Sequence, residues 1–371
     1  MQTAKTICAR RWITWALRRF ERLSRGSPLS AIKPPGPVLV TGGSGYIAGY
    51  VIRQLVAGGW QVHATVRSPE REPAVRALLA VDDTKLNFFA ADLNADAGWA
   101  EAVAGCRHVL HLASPLPAEV PSQADELIVP ARDGTLRVLR AARAAGVQRF
   151  VMTSSVAAVA YGSGRGVHHF TEADWTPDDY PGATPYIRSK ATAERAARAW
   201  VAREGDGLEF CSINPSVVLD PVWSRDYSAS VVIVKKLLDG SVPACPDIGF
   251  GVVDVRDLAD LHLRALMAPD MAGERFIASG RFMKLREVAD VLRRELGAEA
   301  RRVTTRKVPD FAVRLAALFN PLARVAASEL GAERHQSAEH ARQVLGWQTR
   351  PVEQSIVDAA RSLLALKRVP P

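Results

Sequence analysis

The stretch Val38-Leu39-Val40-Thr41-Gly42-Gly43-Ser44-Gly45-Tyr46-Ile47-Ala48 decides the fold. An apolar β-type run passes without a break into a glycine-rich turn, and the turn opens onto the helical pattern Tyr46–Ala57. Gly42 permits the tight turn. Gly45 lets a backbone approach a bulky anion with no Cβ in the way, and Ala48 is small enough for the helix to lie on the strand. The free N–H groups and positive dipole end of that helix suit a pyrophosphate. Gly-x-x-Gly-x-x-Ala alone is common in purely structural turns. Strand, loop and helix in this order make it a dinucleotide-binding reading, with Thr41, Gly42, Gly45, Tyr46 and Ile47 as the expected contacts.

Downstream of the loop, apolar strand candidates alternate with helical patterns. The strands are Val38–Thr41, Gln61–Val66, Leu86–Ala91, His108–Ala113, Phe150–Ser154 and Glu209–Ile213. The helices are Tyr46–Ala57, Ala74–Ala80, Ala97–Val103, Leu127–Ala145 and Tyr186–Arg203. Continuous apolar strands separated by helices imply an α/β chain with a doubly wound, Rossmann-type parallel sheet. Beyond about Asn214 the alternation becomes irregular, with short strands near Val252–Val255 and Arg275–Ala278 among helices near Val231–Leu238, Leu258–Met267 and Leu285–Leu296. The expected organisation is one domain over 37–371. A dinucleotide-binding core occupies about 37–213, and a smaller substrate lobe lies mainly in 214–371.

The end of the second strand bears on which dinucleotide is bound. NAD sites usually carry an acid there for the ribose 2′-hydroxyl. This strand ends Thr65-Val66-Arg67-Ser68, with Arg71 close behind. A guanidinium can grip a 2′-phosphate that an acid would repel, so NADPH (NADP+) is favoured over NAD(H). A solvated strand-end charge is the alternative for Arg67. The third strand runs into Asp92-Leu93: the carboxylate suits an adenine amine and Leu93 its ring, although Asp92 could equally cap the next segment.

The reactive groups come later. The fifth strand ends Thr153-Ser154-Ser155, and Tyr186-Ile187-Arg188-Ser189-Lys190 opens a long helix. At i and i+4, Tyr186 and Lys190 share a helical face. A nearby ammonium and a cationic nicotinamide both favour phenolate, which predicts a lowered phenol pKa and a Tyr186 able to protonate an alkoxide. Ser155 would hold the substrate oxygen by a hydrogen bond.

Together these residues resemble the extended short-chain dehydrogenase/reductase family (the NAD-dependent epimerase/dehydratase superfamily), on the side of the dihydroflavonol reductases, cinnamoyl-CoA reductases and aldehyde reductases. The resemblance spans about 37–366. It rests also on His111-Leu112-Ala113-Ser114-Pro115, on Asn214-Pro215-Ser216-Val217-Val218, on Val253–Leu258 and on Leu345-Gly346-Trp347. It implies a catalytic triad of Ser155, Tyr186 and Lys190, with Lys190 on the nicotinamide ribose. Ala113 and Ser114 would line the cofactor, and Pro215 and Ser216 would lie beside the carboxamide. Three positions depart from the family pattern: Arg137 after Gly134-Thr135-Leu136, Ala160 after the catalytic serine, and Gly251 before Val253. The last two remove polar groups that would hold a polyhydroxylated ring, which favours a less polar aldehyde or ketone over a flavonoid.

Bulk properties narrow the classes. Residues 1–36 hold eight Lys or Arg and one acid, +7 of the formal +9, so the rest of the chain is nearly neutral. There is no basic stripe to suggest nucleic acid. The tail is expected to be a flexible extension or to follow from too early a start. A membrane-surface helix over Arg10–Leu23, bearing Trp12, Trp15 and Phe20, and an organelle presequence are the alternatives. No run reaches the ~20 apolar residues of a membrane span. Four scattered cysteines (Cys8, Cys106, Cys211, Cys245) suit isolated thiols in a reducing cytoplasm. His168-His169 reads as a solvated loop, and no metal site is expected. Trp175, Tyr180 and Trp223 read as lobe core more than as pocket lining. The partner is a small carbonyl compound and the chain a monomer or homodimer. The rival readings are an NAD-retaining nucleotide-sugar epimerase or dehydratase, a 3β-hydroxysteroid dehydrogenase-like enzyme, and a non-catalytic NADP(H) sensor.

Overall fold

In the computed structural model, the described residues are 36–115, 123–180, 182–224 and 228–368. The expected helix over Arg10–Leu23 lies outside them. The chain begins with β1 (Val38–Thr41), α1 (Tyr46–Ala57), β2 (Val62–Val66), α2 (Glu72–Leu79), β3 (Leu86–Ala90), α3 (Trp99–Val103), β4 (His108–His111) and α4 (Asp125–Ala144). It continues through β5 (Arg149–Thr153), β6 (Gly166–Phe170), α5 (Pro185–Glu204), β7 (Glu209–Pro215), β8 (Val217–Leu219) and α6 (Ala229–Asp239). After these come β9 (Gly249–Asp254), α7 (Val255–Met267), β10 (Arg275–Ala278), β11 (Phe282–Lys284) and α8 (Leu285–Leu296). The last elements are α9 (Asp310–Ala316), α10 (Pro321–Ser328), β12 (Ala332–Gln336), α11 (Glu339–Leu345) and α12 (Val352–Arg368).

Seven strands form one parallel sheet in the order β10-β7-β5-β4-β1-β2-β3. The order reverses between β1 and β4. A crevice therefore opens there at the carboxyl ends of the strands, the usual ligand position in such a sheet. Helices cover both faces, which is why β1 is apolar and buried and why the interior of β4, Val109 and Leu110, is too. One face holds Ile52, Leu55, Leu261 and Phe276; the other holds Trp99, Leu139, Phe150 and Trp200.

Strand β10, expected among the irregular elements beyond Asn214, is the edge strand of this main sheet. A second sheet, β11-β9-β8, backs a core of Val231, Leu237, Val288, Leu292 and Ile356. His168 and His169, expected in a loop, instead lie on β6, which pairs in parallel with the distant β12. Alternating exposure made β6 look like loop: its residues are partly solvated, with no apolar run to mark them.

Candidate active site

Gly42 sits at φ +70°, and a Cβ there would lie 3.0 Å from the Ala113 Cα. Glycine is therefore required on both conformational and steric grounds. Thr65 fastens the loop to β2: its Oγ1 accepts from the Gly42 N–H at 3.0 Å, and its carbonyl from the Gly43 N–H at 2.7 Å. Gly45 precedes α1, whose N-terminus has no side-chain cap and no acid in its first turn. Free N–H groups and the positive helix end are thus left for an anion, so the loop fits a pyrophosphate. Tyr46 donates to the Asp220 carbonyl at 2.9 Å, tying the start of α1 to the chain beyond β8, while Ile47 is half-buried against the core of the main sheet.

Thr41 joins the loop to β4. Its Oγ1 accepts from the N–H groups of Leu112 at 3.0 Å and Ala113 at 2.9 Å, which directs its own proton to His111 Nδ1, 2.9 Å away. Burial, helped by the Lys190 charge, pushes His111 down to about 3, so the imidazole stays neutral. Arg67 is exposed at the carboxyl end of β2. Asp92 uses Oδ1 to accept the Asn94 N–H at 2.8 Å, a local turn; the next helix starts at Trp99 with Gly98 before it, so Asp92 is not its cap. Leu93 lies against Gly134, where a Cβ would come within 2.7 Å of it. Arg137 donates to the Leu93 carbonyl and pairs with Asp96, so this departure from the family pattern anchors the loop after β3.

Ser155 follows β5, and its Oγ accepts the Ala157 N–H at 3.1 Å. Helix α5 begins with Pro185, and Thr184 caps it by accepting the Ile187 N–H. This cap places Tyr186 in the first turn, where its Oη donates to Ser155 Oγ at 3.4 Å. One turn on, Lys190 Nζ donates to Ser114 Oγ at 3.0 Å and lies 5.8 Å from the Tyr186 ring centre. Ser155 and Lys190 are buried, whereas 38% of Tyr186 reaches solvent. Tyr186 is thus the most exposed of the three as a residue, although its hydroxyl end is turned inward to Ser155.

The expected lowering of the phenol by Lys190 is not found. Burial of the hydroxyl end raises its pKa and the Ser155 bond offsets this only in part; Nζ is turned to Ser114. Burial also pushes Lys190 down to about 8, against the pull of Glu194.

Sequence reasoning overlooked Glu194, one turn beyond Lys190 and fully buried. Its carboxylate accepts from Ser154 at 2.6 Å, Ser212 at 2.8 Å, Asn214 at 2.7 Å and Arg275 at 2.7 Å. Asn214 donates also to the Ser155 carbonyl at 3.1 Å. Arg275 reaches the carbonyls of Glu172 and Asp174 and lies over the Trp175 ring at 3.7 Å. A buried acid in this helix was legible as i+4 from Lys190; its partners on β5, β7 and β10 were not.

Pro215 ends β7 and Ser216 follows, its N–H bonded to the Ala278 carbonyl at 3.0 Å. The Ser216 hydroxyl is buried without a partner, a polar atom suited to a carboxamide. Ala160 is fully buried beside Val156, Val159 and Ile277. At Gly251, a Cβ would fall 2.4 Å from both Gln336 Oε1 and Ser279 Oγ. Polar groups from β12 and from the end of β10 thus occupy the space the missing side chain leaves. Trp223 stacks on Tyr50 at 4.1 Å and holds Arg53 over its ring, a packing role beside α1. Cys106, Cys211 and Cys245 are buried free thiols, and no metal-binding cluster occurs among the described residues.

A Rossmann-type sheet with a glycine loop, a serine after β5 and Tyr-x-x-x-Lys on α5 defines a class of nucleotide-dependent proteins. The chain belongs to the NAD dependent epimerase/dehydratase family, whose model matches residues 38–278. It is 36% identical to cinnamoyl-CoA reductase CAD2 of Medicago truncatula over 259 residues, 68% of this chain and 76% of the relative. It is 32% identical to the dihydroflavonol 4-reductase of Gerbera hybrida over 268 residues, 70% and 72% of the two chains. The crystal structure of Gre2 from Candida albicans in complex with NADPH has the same fold, with a TM-score of 0.75 and 24% identity, covering 90% of this chain and all of that one.

Proposed function

We propose that this chain reduces an aldehyde or ketone to an alcohol, reversibly, with NADPH as the cofactor. The observation that carries the reading is the convergence of four side chains at the crevice: Tyr186 on Ser155 at 3.4 Å and Lys190 on Ser114 at 3.0 Å. The related reductases named above lend support by similarity.

The fit of the cofactor rests on the uncapped start of α1, the left-handed Gly42 and the unpartnered Ser216 hydroxyl. The backbone at Gly42, Gly45, Tyr46 and Ile47, with Thr41 holding the loop, would cradle the pyrophosphate. Arg67 would hold the 2′-phosphate, Asp92 and Leu93 the adenine, Ala113, Ser114 and Lys190 the nicotinamide ribose, and Pro215 and Ser216 the carboxamide. When bound, the reduced nicotinamide supplies the hydride.

The remaining chemistry belongs to the chain. Burial keeps the Tyr186 phenol protonated at neutral pH, the state that reduction requires. Its proton passes to the substrate oxygen as negative charge develops there. Ser155 Oγ holds that oxygen by a hydrogen bond. Lys190, held on Ser114 at 3.0 Å, would position the nicotinamide ribose beside the phenol. Alcohol oxidation runs the same steps in reverse and needs the phenolate, so it gains as pH rises.

Oxidation of NADPH and of NADH is to be followed with aldehydes, aryl ketones, flavonoids and ketosteroids. The expected result is an NADPH-dependent rate with at least one carbonyl class. Inertness to every carbonyl, in a protein that arrives with tightly held NAD+, would instead favour a nucleotide-sugar epimerase or dehydratase.

A further inference from the structure

Of nine large apolar side chains exposed among the described residues, five fall between positions 311 and 325: Phe311, Leu315, Leu318, Phe319 and Val325. They are 53–85% exposed. Phe311, Leu315 and Leu318 stand at i, i+4 and i+7, one face of α9 and its continuation. Val313, on the opposite side, is the residue of this helix that is buried. The amphipathic pattern is therefore inverted: the apolar stripe faces outward. Phe319, the most exposed, lies in the turn between α9 and α10, at the tip of the hairpin these helices form.

The stretch 301–325 is basic, with Arg314 and Arg324 in the hairpin itself and four further cations just ahead of it. Arg301, Arg302, Arg306, Lys307, Arg314 and Arg324 are all exposed, and none takes part in a salt bridge among the described residues. Asp310 is the single acid between 301 and 325, and it pairs with Arg165 at 2.7 Å. The cover of this tip must therefore be both apolar and anionic. A second copy would set this basic stretch, six cations and one acid over 301–325, against its like. The chain's own N-terminal segment, at +7, is repelled in the same way. A protein partner would ordinarily offer a knob to a groove, and here the chain supplies the knob.

We propose that the hairpin 310–328 docks on an anionic lipid surface. Phe311, Leu315, Leu318 and Phe319 enter the headgroup boundary, and the flanking Arg and Lys side chains meet the lipid phosphates. This inference is independent of the reduction chemistry.

The test is flotation of the full chain with vesicles of equal parts phosphatidylglycerol and phosphatidylcholine, and with pure phosphatidylcholine. The parent partitions to the anionic vesicles at low salt, and less at high salt as the charges are screened. Leu315→Glu/Phe319→Glu in the full chain lowers that partition at least about tenfold. Val344→Glu, at an exposed apolar site elsewhere, leaves it unchanged, and melting curves confirm that both variants fold. The proposal is overturned if the parent ignores anionic vesicles. It is equally overturned if the double variant floats like the parent, which would assign binding to the N-terminal segment. A dimer that the double variant abolishes, in a parent that does not float, would make the tip a self-association surface instead.

Discussion

Lys190 is asked to be charged in a place that resists charge. It is buried, and burial lowers its pKa from 10.5 to about 8. A base depressed in the folded state costs stability while it is protonated. The cost is full below pH 8, fades as pH rises, and is gone above 10.5, where the unfolded lysine is neutral too. A shift of that size corresponds to at most about 3 kcal/mol. Lys190→Met keeps the aliphatic stem, so it is expected to be more stable than the parent at neutral pH by up to that amount. The advantage should shrink through the alkaline range, in denaturant melts taken across pH. Equal stability of the two proteins at every pH would remove the argument. The placement of Tyr186, Lys190 and Ser155 was legible in the sequence because spacing on a helix fixes a shared face. The direction of the phenol's shift was not, since it depends on where Nζ points, and that is set by Ser114, far away in the chain.

At the scale of elements, helix α5 is held by charge as much as by apolar packing. Glu194 is fully buried against Arg275 of β10, with Ser154, Ser212 and Asn214 completing its hydrogen bonds. Removing Arg275 leaves the buried carboxylate only Arg198, at 3.4 Å, as a cationic partner, at a cost of up to about 3–5 kcal/mol. Arg275→Met should cost about that much in denaturant melts. Arg275→Met combined with Glu194→Gln should recover a large part of the loss, because the two changes are coupled. Strictly additive losses would show that the pair does not act as a unit. The strands of the main sheet were readable because each is a continuous apolar run. The pairing of β6 with β12 was not, because it joins half-exposed segments more than 150 residues apart in the chain. The Glu194–Arg275 pair escaped notice for the same reason: β10 is added to the sheet from beyond the irregular part of the chain, and no local pattern announces it.

Across the whole molecule, the carboxyl ends of β1, β2, β4, β5 and β7 gather the loop, the guanidinium and the reacting groups at one crevice. Arg67, exposed at the end of β2, should decide between the two nicotinamide cofactors. Arg67→Ala is expected to raise the KM for NADPH by about 10–100-fold, the worth of about 1.5–3 kcal/mol of charged hydrogen bonding, and to leave that for NADH unchanged. A parallel loss with both cofactors would place Arg67 outside the phosphate site. Substrate preference was the least legible property, as Gly251 illustrates: a missing side chain in the sequence is a space filled by Gln336 and Ser279 in the fold. The central claim is that Tyr186 is the proton donor of a carbonyl reduction, and it is tested most directly by Tyr186→Phe in single turnover with NADPH and a carbonyl that the parent reduces. The predicted result is undiminished NADPH binding with a reduction rate about 10²–10⁴-fold lower; an unchanged rate would contradict the account.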